Sequence, residues 1–322
     1  MIRKNSDSKF EPFLLIPAAK DYLWGGNRLN DDFGKGIDLS PLAETWECST
    51  HPDGPSIIAN GRYRGQKLTD VLKKTPELLG KHSMALGELP ILIKFIDAKG
   101  DLSVQVHPSD EYALAHEGEY GKTEMWYILD CDEGACLYYG FSKDVSREEY
   151  ENAIKEGKLC DILNRVSVKK GDVFFIPAGT VHAIGAGIVI CEIQQNSNTT
   201  YRVFDYNRRD KNGNLRPLHV EKALEVSSLN KSPELCDTPE GDDVLLAECE
   251  YFEVKRLRIG EEYNLLVDPS SFVSLIVTDG EGKLIYGDGE LELSKGDSIF
   301  IPAHNETMIV TGNLEIIQSK VR

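Results

Sequence analysis

One stretch of this chain occurs twice. "KKGDVFFIPAGTVHAIG" runs over 169–185 and "SKGDSIFIPAHNETMIV" over 294–310. Over 170–178 and 295–303, seven of nine positions are identical at a constant offset of 125. In both copies Gly-Asp opens an apolar run and Ile-Pro closes it. Glycine permits a tight reversal, and proline lacks the donor that further pairing needs, so the unit reads as a strand between two turns. A second match widens the repeat: "EMWYILDCDEGACLYYG" (124–140) resembles "FVSLIVTDGEGKLIYG" (272–287) when the Glu133-Gly134 and Glu281-Gly282 turns are superimposed, at an offset of 148. The offsets differ by 23 residues, so the first copy holds that much extra chain between its halves. A duplicated β unit predicts two similar β domains.

The rest of the chain agrees. Short apolar or alternating runs such as "FLLIP", "PILIKFIDA", "LSVQVHP", "GIVICEIQQ" and "LEIIQSKV" recur between Gly, Pro, Asn and Asp. That pattern predicts a mainly β chain of sandwich or barrel type. A few helices interrupt it. One spans 69–80 with Thr69 as cap, and one spans 109–116 behind Ser109. A third, 146–157, carries a Ser146/Glu149 capping box and falls within the extra 23 residues; a fourth spans 217–227. The polar, aperiodic stretch "SLNKSPELCDTPEGDD" (228–243) is the expected linker. It divides the chain into residues 1–235 and 236–322.

Composition sets bounds on function. The net charge of −17 disfavours nucleic acid and anionic membrane surfaces as partners. No stretch approaches the roughly 20 apolar residues of a membrane span, and the start lacks the apolar run of a signal peptide. Seven cysteines (48, 131, 136, 160, 191, 236 and 249), an odd number without a C-x-x-C pair, read as reduced. The cytoplasm is the expected location, with the chain a monomer or homodimer.

Chemistry concentrates in the first copy. "SVQVHPSD" places Gln105 and His107 two apart, on one face of a strand. Glu124 heads the next apolar strand, and His182 follows the Pro-x-Gly turn. Two imidazoles, a carboxylate and an amide converging inside a barrel suit one borderline divalent metal ion, zinc foremost. In the superposition Glu124 falls on Phe272 and His182 on Thr307, so the second copy is expected to hold no metal. The remaining histidines, 51, 82, 116, 219 and 304, read as surface or helix residues, and Trp24, Trp46 and Trp126 as core or pocket wall.

"GDVFFIPAGTVH" resembles the second motif of cupins, although Ala186 stands where the motif usually closes on asparagine. The common H-x-H first motif is absent. "QVHP" followed by "GKTEMWYIL" instead resembles the variant seen in type I mannose-6-phosphate isomerases. "LWGGNRL" (23–29), "ETWECSTHPDG" (44–54), "PILIKFIDA" (90–98), "SVQVHPSDEYA" (103–113) and "NTTYRVFDYNR" (198–208) follow in that family's order. The resemblance, to the short bacterial form, implies two cupin-type jelly-roll barrels and metal ligation by Gln105, His107, Glu124 and His182. It implies an essential Arg202 and places the family's lysine at Lys122 and its acidic residue at Glu192, which stay rival proton carriers. The implied substrate is a sugar phosphate, with fructose 6-phosphate and mannose 6-phosphate interconverted through an enediol-type intermediate. A sugar-phosphate-sensing cupin without catalysis is the alternative, and an iron-dependent cupin oxygenase fits the Gln/Glu donor set less well. Arg202, Arg208, Arg209 and Lys211 could supply a positive field for phosphate in an acidic chain.

Overall fold

The computed structural model describes residues 10–209, 212–235, 237–287 and 289–322. Lys211 and Cys236 lie outside them. Strands dominate and form three sheets. A six-stranded sheet runs Val173–Ile176, Glu124–Cys131, Ile188–Gln195, Ile91–Ala98, Glu44–Cys48, Ala18–Lys20. A five-stranded sheet runs Tyr201–Phe204, Val104–Val106, His182–Ala183, Cys136–Phe141, Leu163–Ser167. Trp126, Ile128, Ile176 and Ile190 of the first meet Leu137 and Tyr139 of the second in one core, which closes the first barrel. Ile91–Ala98 and Ile188–Gln195 are buried along their whole length because their other face packs on a second core toward the C-terminal repeat. That double burial explains their nearly continuous apolar sequence. It also means that the charged exceptions, Lys94, Asp97 and Glu192, must find partners inside.

The nine-stranded sheet holds the C-terminal repeat. Its order is Asp243–Glu248, Glu253–Ile259, Glu306–Lys320, Val273–Tyr286, Ser298–Ile301, Phe13–Ile16, Ile57–Ile58. Glu262–Val267 pairs with Glu306–Lys320, and Gly289–Ser294 with Val273–Tyr286. Strand pairing thus crosses the division at 235, with Phe13 opposite Phe300 and Leu14 opposite Ile299.

The two copies of the repeat superimpose in space one residue away from the sequence match. Ile176 pairs with Glu124, whereas its counterpart Ile301 pairs with Val273. A one-residue slip moves a side chain to the opposite face. Val273 therefore occupies the inward position of Glu124 and belongs to the apolar barrel core. Phe272 faces the other way and stacks on Phe300 with ring centroids 5.2 Å apart. Thr307 is exposed, and Met308 points inward instead. The expected turn at Glu281-Gly282 is likewise absent. Val273–Tyr286 runs on as one strand, with a register shift between Val277 and Asp279.

Helix ends shift for local reasons. Leu68–Lys74 starts earlier than expected, because Thr69 is not a cap; its hydroxyl donates to the Thr50 carbonyl at 3.0 Å. Pro76 then disfavours helical backbone at Thr75, and 76–79 continues as a 3-10 turn. Arg147–Lys155 forms within the 23-residue insertion, with the Ser146 hydroxyl accepting from the Glu149 amide at 3.0 Å. Asp110–His116 follows Ser109 without a side-chain cap, and Val220–Val226 starts three residues after Pro217. Two histidines expected at the surface are buried: His51 (4% exposed) and His304 (8%). The imidazole of His304 stacks on Phe10 and pairs with Glu306 at 3.0 Å, which satisfies it inside.

Candidate metal centre and active-site pocket

The strand Val104–Val106 lies between His182–Ala183 and Tyr201–Phe204, which sets Gln105 opposite both His182 and Arg202. Glu124 enters from the facing sheet at the end of its strand, paired with Ile176 and Gln194. Donor atoms of His107, Glu124 and His182 lie within 4.8 Å of one another, and all three residues are buried. Each imidazole Nδ1 meets a backbone carbonyl, Thr199 for His107 and Thr180 for His182, both at 2.9 Å. A carbonyl can only accept, so Nδ1 carries the proton and each Nε2 turns its lone pair to the centre. Burial, reinforced by the Lys122 charge, lowers both imidazoles below their ordinary pKa, His182 to about 4, so both are neutral. Nε2 of His182 is 3.3 Å from Glu124 Oε1 and 3.4 Å from Gln105 Nε2. Glu124 Oε1 is buried and accepts no hydrogen bond.

The cluster draws a positive charge. The Lys122 ammonium contacts Glu124 Oε2 and lies 3.2 Å from His107 Nε2. Two fixed lone pairs, an orphaned carboxylate oxygen and a nearby amide form a donor set that fits a divalent cation.

Through Gln105 and Lys122 the centre adjoins a cavity of about 280 Å³ lined also by Tyr22, Trp24, Lys94, Glu192 and Arg202, among others. Glu192 sits between two lysines, with Lys94 Nζ 3.2 Å from Oε2 and Lys122 Nζ 3.6 Å from Oε1. Trp126 Nε1 donates to Oε1 at 3.0 Å. Burial alone would raise this carboxyl; Lys122 and Lys94 together hold it well below the usual carboxylate range, so it is ionised. Glu124, by contrast, is pushed up by burial and by the Glu192 charge, against Lys122. Arg202 lines the same cavity. Its guanidinium donates to Ser103 Oγ at 3.3 Å and to the Pro217 carbonyl at 3.0 Å, which leaves the fork facing the cavity with donors to spare.

Residues 13–136 match the description of the type I phosphomannose isomerase catalytic domain, and residues 243–321 that of the mannose-6-phosphate isomerase cupin domain. Mannose-6-phosphate isomerase ManA of Bacillus subtilis is 41% identical over 298 residues, 91% of this chain and 93% of its own. The chain belongs to the type I phosphomannose isomerase family. Mannose-6-phosphate isomerase of Streptococcus mutans is 38% identical over 313 residues, 96% of this chain and 98% of its own. A crystal structure of the Bacillus subtilis mannose 6-phosphate isomerase superimposes with a TM-score of 0.88 at 36% identity, covering 96% of this chain and 99% of that one.

Within this phosphomannose isomerase fold six of the seven residues singled out from the sequence form one connected group, through the contacts of Gln105 and Lys122 with the histidines and of Lys122 with Glu192, and the seventh, Arg202, lines the adjoining cavity. The basic segment after Arg202 behaves differently. Arg208 pairs with Asp205 at 2.5 Å, Arg209 donates to the Gly213 carbonyl at 2.7 Å, and it is Arg216 that joins Arg202 in the cavity wall. Sequence reasoning missed Arg216, and it missed Lys94 and Glu44 as well. Lys94 lies 5.0 Å over the Trp46 ring, and Trp46 Nε1 donates to Glu44 at 2.8 Å. The signal for Lys94 was available: a lone cation in the predominantly apolar run "PILIKFIDA" must be paired inside or face a cavity. Trp24 is pocket wall, and Trp46 and Trp126 are core, as expected.

Proposed function

We propose that this chain interconverts mannose 6-phosphate and fructose 6-phosphate as a metal-dependent aldose–ketose isomerase. One observation supports it above the rest: three metal-competent donors within 4.8 Å of one another adjoin a cavity lined by Lys94, Lys122, Glu192 and Arg202, in a chain whose relatives bear that activity's name. We assign Gln105, His107, Glu124 and His182 as ligands of a single ion and, from the mixed nitrogen and oxygen set, zinc as the ion. Bound there, it supplies Lewis-acid stabilisation of negative charge on a sugar oxygen.

The chain's own groups handle the proton and the remaining charge. A proton must leave one carbon beside a carbonyl and return to its neighbour. Glu192 starts ionised and lines the cavity, and we assign it as the proton carrier, with Lys122 the rival. The two flanking ammonium groups keep Glu192 available as a carboxylate and lie ready to stabilise an enediolate, although they also weaken its basicity. Arg202, always protonated, holds an anionic oxygen of the intermediate or the phosphate. We place the protein in the cytoplasm, acting on a free sugar phosphate. None of the described helices is long and apolar enough to cross a membrane, and the described cysteines are free thiols.

A coupled assay on both hexose 6-phosphates, before and after chelation and with metal restored, tests the proposal. Turnover should vanish with the metal and return with it. Tight binding of a sugar phosphate without turnover in the metal-loaded protein would favour the sensing alternative.

A further inference from the structure

The segment 121–124 delivers both Lys122 and Glu124, yet its own backbone is held by side chains from two other parts of the chain, one of them braced from a third. Asp110 Oδ1 accepts from the Gly121 amide at 2.7 Å and from Gln195 Nε2 at 2.9 Å. Gln195 Oε1 accepts from the Thr123 amide at 2.8 Å, and the Gln195 amide donates back to the Thr123 carbonyl at 3.1 Å. Lys122, between them, donates its own amide to the Pro108 carbonyl at 3.1 Å. From the C-terminal repeat, the Tyr251 hydroxyl donates to Asp110 Oδ2 at 3.0 Å. Gln195 is only 4% exposed. The fit leaves no slack: a Cβ on Gly121 would lie 2.4 Å from the Ser109 carbonyl carbon and 2.5 Å from the Asp110 nitrogen.

We propose that Asp110 and Gln195 are positioning residues that fix Lys122 in the pocket by clamping the backbone on either side of it, and that Tyr251 braces the clamp from the C-terminal repeat. The sequence spacing gives the clamp its reach. Asp110 lies three residues after His107, and Gln195 three after Glu192, so the same bonds register the segments that carry the metal-ligand histidine, the lysine and the acidic residue. Lys122 is a long side chain on a short loop, and a small rotation of the loop is magnified at its ammonium tip. Displacement by about 1 Å at a reacting centre costs on the order of a hundredfold in rate. The C-terminal repeat thereby acquires a task in catalysis without touching substrate. This inference rests on the reading of Lys122 as part of the active site.

The test uses the metal-loaded full chain. Kinetics on mannose 6-phosphate, metal content and amide hydrogen exchange over 121–124 would be measured for Asp110→Ala, Asp110→Asn, Gln195→Met and Tyr251→Phe. Asp110→Ala and Gln195→Met should lower kcat about tenfold to a hundredfold with KM and metal content near the parent's, and should speed exchange at 121 and 123. Asp110→Asn should recover most of the rate, because its amide oxygen still accepts from Gly121 and Gln195. Tyr251→Phe, which removes a single bond and leaves the ring packed, should lower kcat about fivefold. Faster exchange with parent kcat in Asp110→Ala would overturn the proposal, as would an Asp110→Asn variant as slow as Asp110→Ala. If Asp110→Ala fails to fold, Tyr251→Phe decides: an unchanged kcat rejects the bracing role. A parent chain that does not isomerise mannose 6-phosphate refutes the reading of the pocket instead, and the exchange data then decide whether the clamp exists.

Discussion

Replacing Lys35 with methionine should destabilise the fold by about 3–5 kcal/mol, through a single buried charge pair. Lys35 Nζ lies 2.6 Å from Glu47 Oε1, donates to the Gly296 carbonyl at 2.5 Å and sits 4.7 Å over the Phe95 ring. Both side chains are almost completely enclosed, at 5% and 0% exposure. Glu47 Oε1 also accepts from Thr45 Oγ1 at 2.5 Å, whereas Oε2 has no partner. The pair joins the strand Glu44–Cys48 to the Gly-Asp turn of the C-terminal repeat, so it holds the seam between the two halves. Methionine would keep most of the apolar stem, and the main consequence would be an uncompensated carboxylate. Burial already pushes Glu47 above the usual carboxylate range against the attraction of Lys35. The attraction therefore does not fully offset desolvation, and removing both charges should be mild: Lys35→Met/Glu47→Leu should fall within about 1–2 kcal/mol of the parent, the residual loss coming from the Thr45 hydroxyl.

The pH dependence has a definite sign. A carboxyl whose folded pKa is raised favours the protonated fold, and that contribution is lost as pH rises through the raised value. Without Lys35 the rise is larger. The deficit of Lys35→Met should therefore be greatest near pH 8 and shrink toward pH 5. Urea unfolding followed by tryptophan fluorescence at both pH values gives the cycle directly. A single variant as stable as the parent at pH 8, or a double variant no better than the single, would refute the argument.

Other expectations concern the pocket. The parent should hold about one metal equivalent by elemental analysis, since Val273 and Met308 occupy the inward positions of the repeat, and His182→Ala should lose metal and activity while keeping the parent's circular dichroism; two equivalents released only on unfolding would contradict this. Arg202→Lys keeps a charge but loses the planar fork, so kcat should fall on the order of a hundredfold with metal content unchanged; loss of metal instead would make Arg202 a scaffold residue. Glu192→Gln should abolish exchange of the substrate C–H proton with solvent while substrate still binds, and Lys122→Met should slow turnover with residual exchange. The reverse pattern transfers the proton to Lys122.

The residues that form the site were legible because their chemistry is out of place where it stands. A histidine after Pro-x-Gly, a Gln-x-His pair on a β run and a glutamate heading an apolar strand each violate the pattern around them, and the structure gathers all four. The duplication was legible from turn grammar, since Gly-Asp and Ile-Pro mark strand ends whatever lies between them. Register was not. Aligning Glu281-Gly282 with Glu133-Gly134 assumed that both dipeptides turn, yet the second runs on within a 14-residue strand, and the resulting one-residue error assigned Phe272 to an interior position that belongs to Val273; past the second match, likewise, Met308 rather than Thr307 points inward. With period-two alternation, an apolar residue on the wrong face reads as convincingly as one on the right face when both faces are buried. Partnership across sheets was equally hidden. Nothing in the local sequence ties Lys35 to Glu47, or Tyr251 to Asp110, because each pair joins separate elements of the fold, the second across 141 residues of chain. Charged residues inside continuous apolar runs remain the one usable sign of such partners. Lys94 carries it on a strand buried over its full length, and there the rule leads to Glu192.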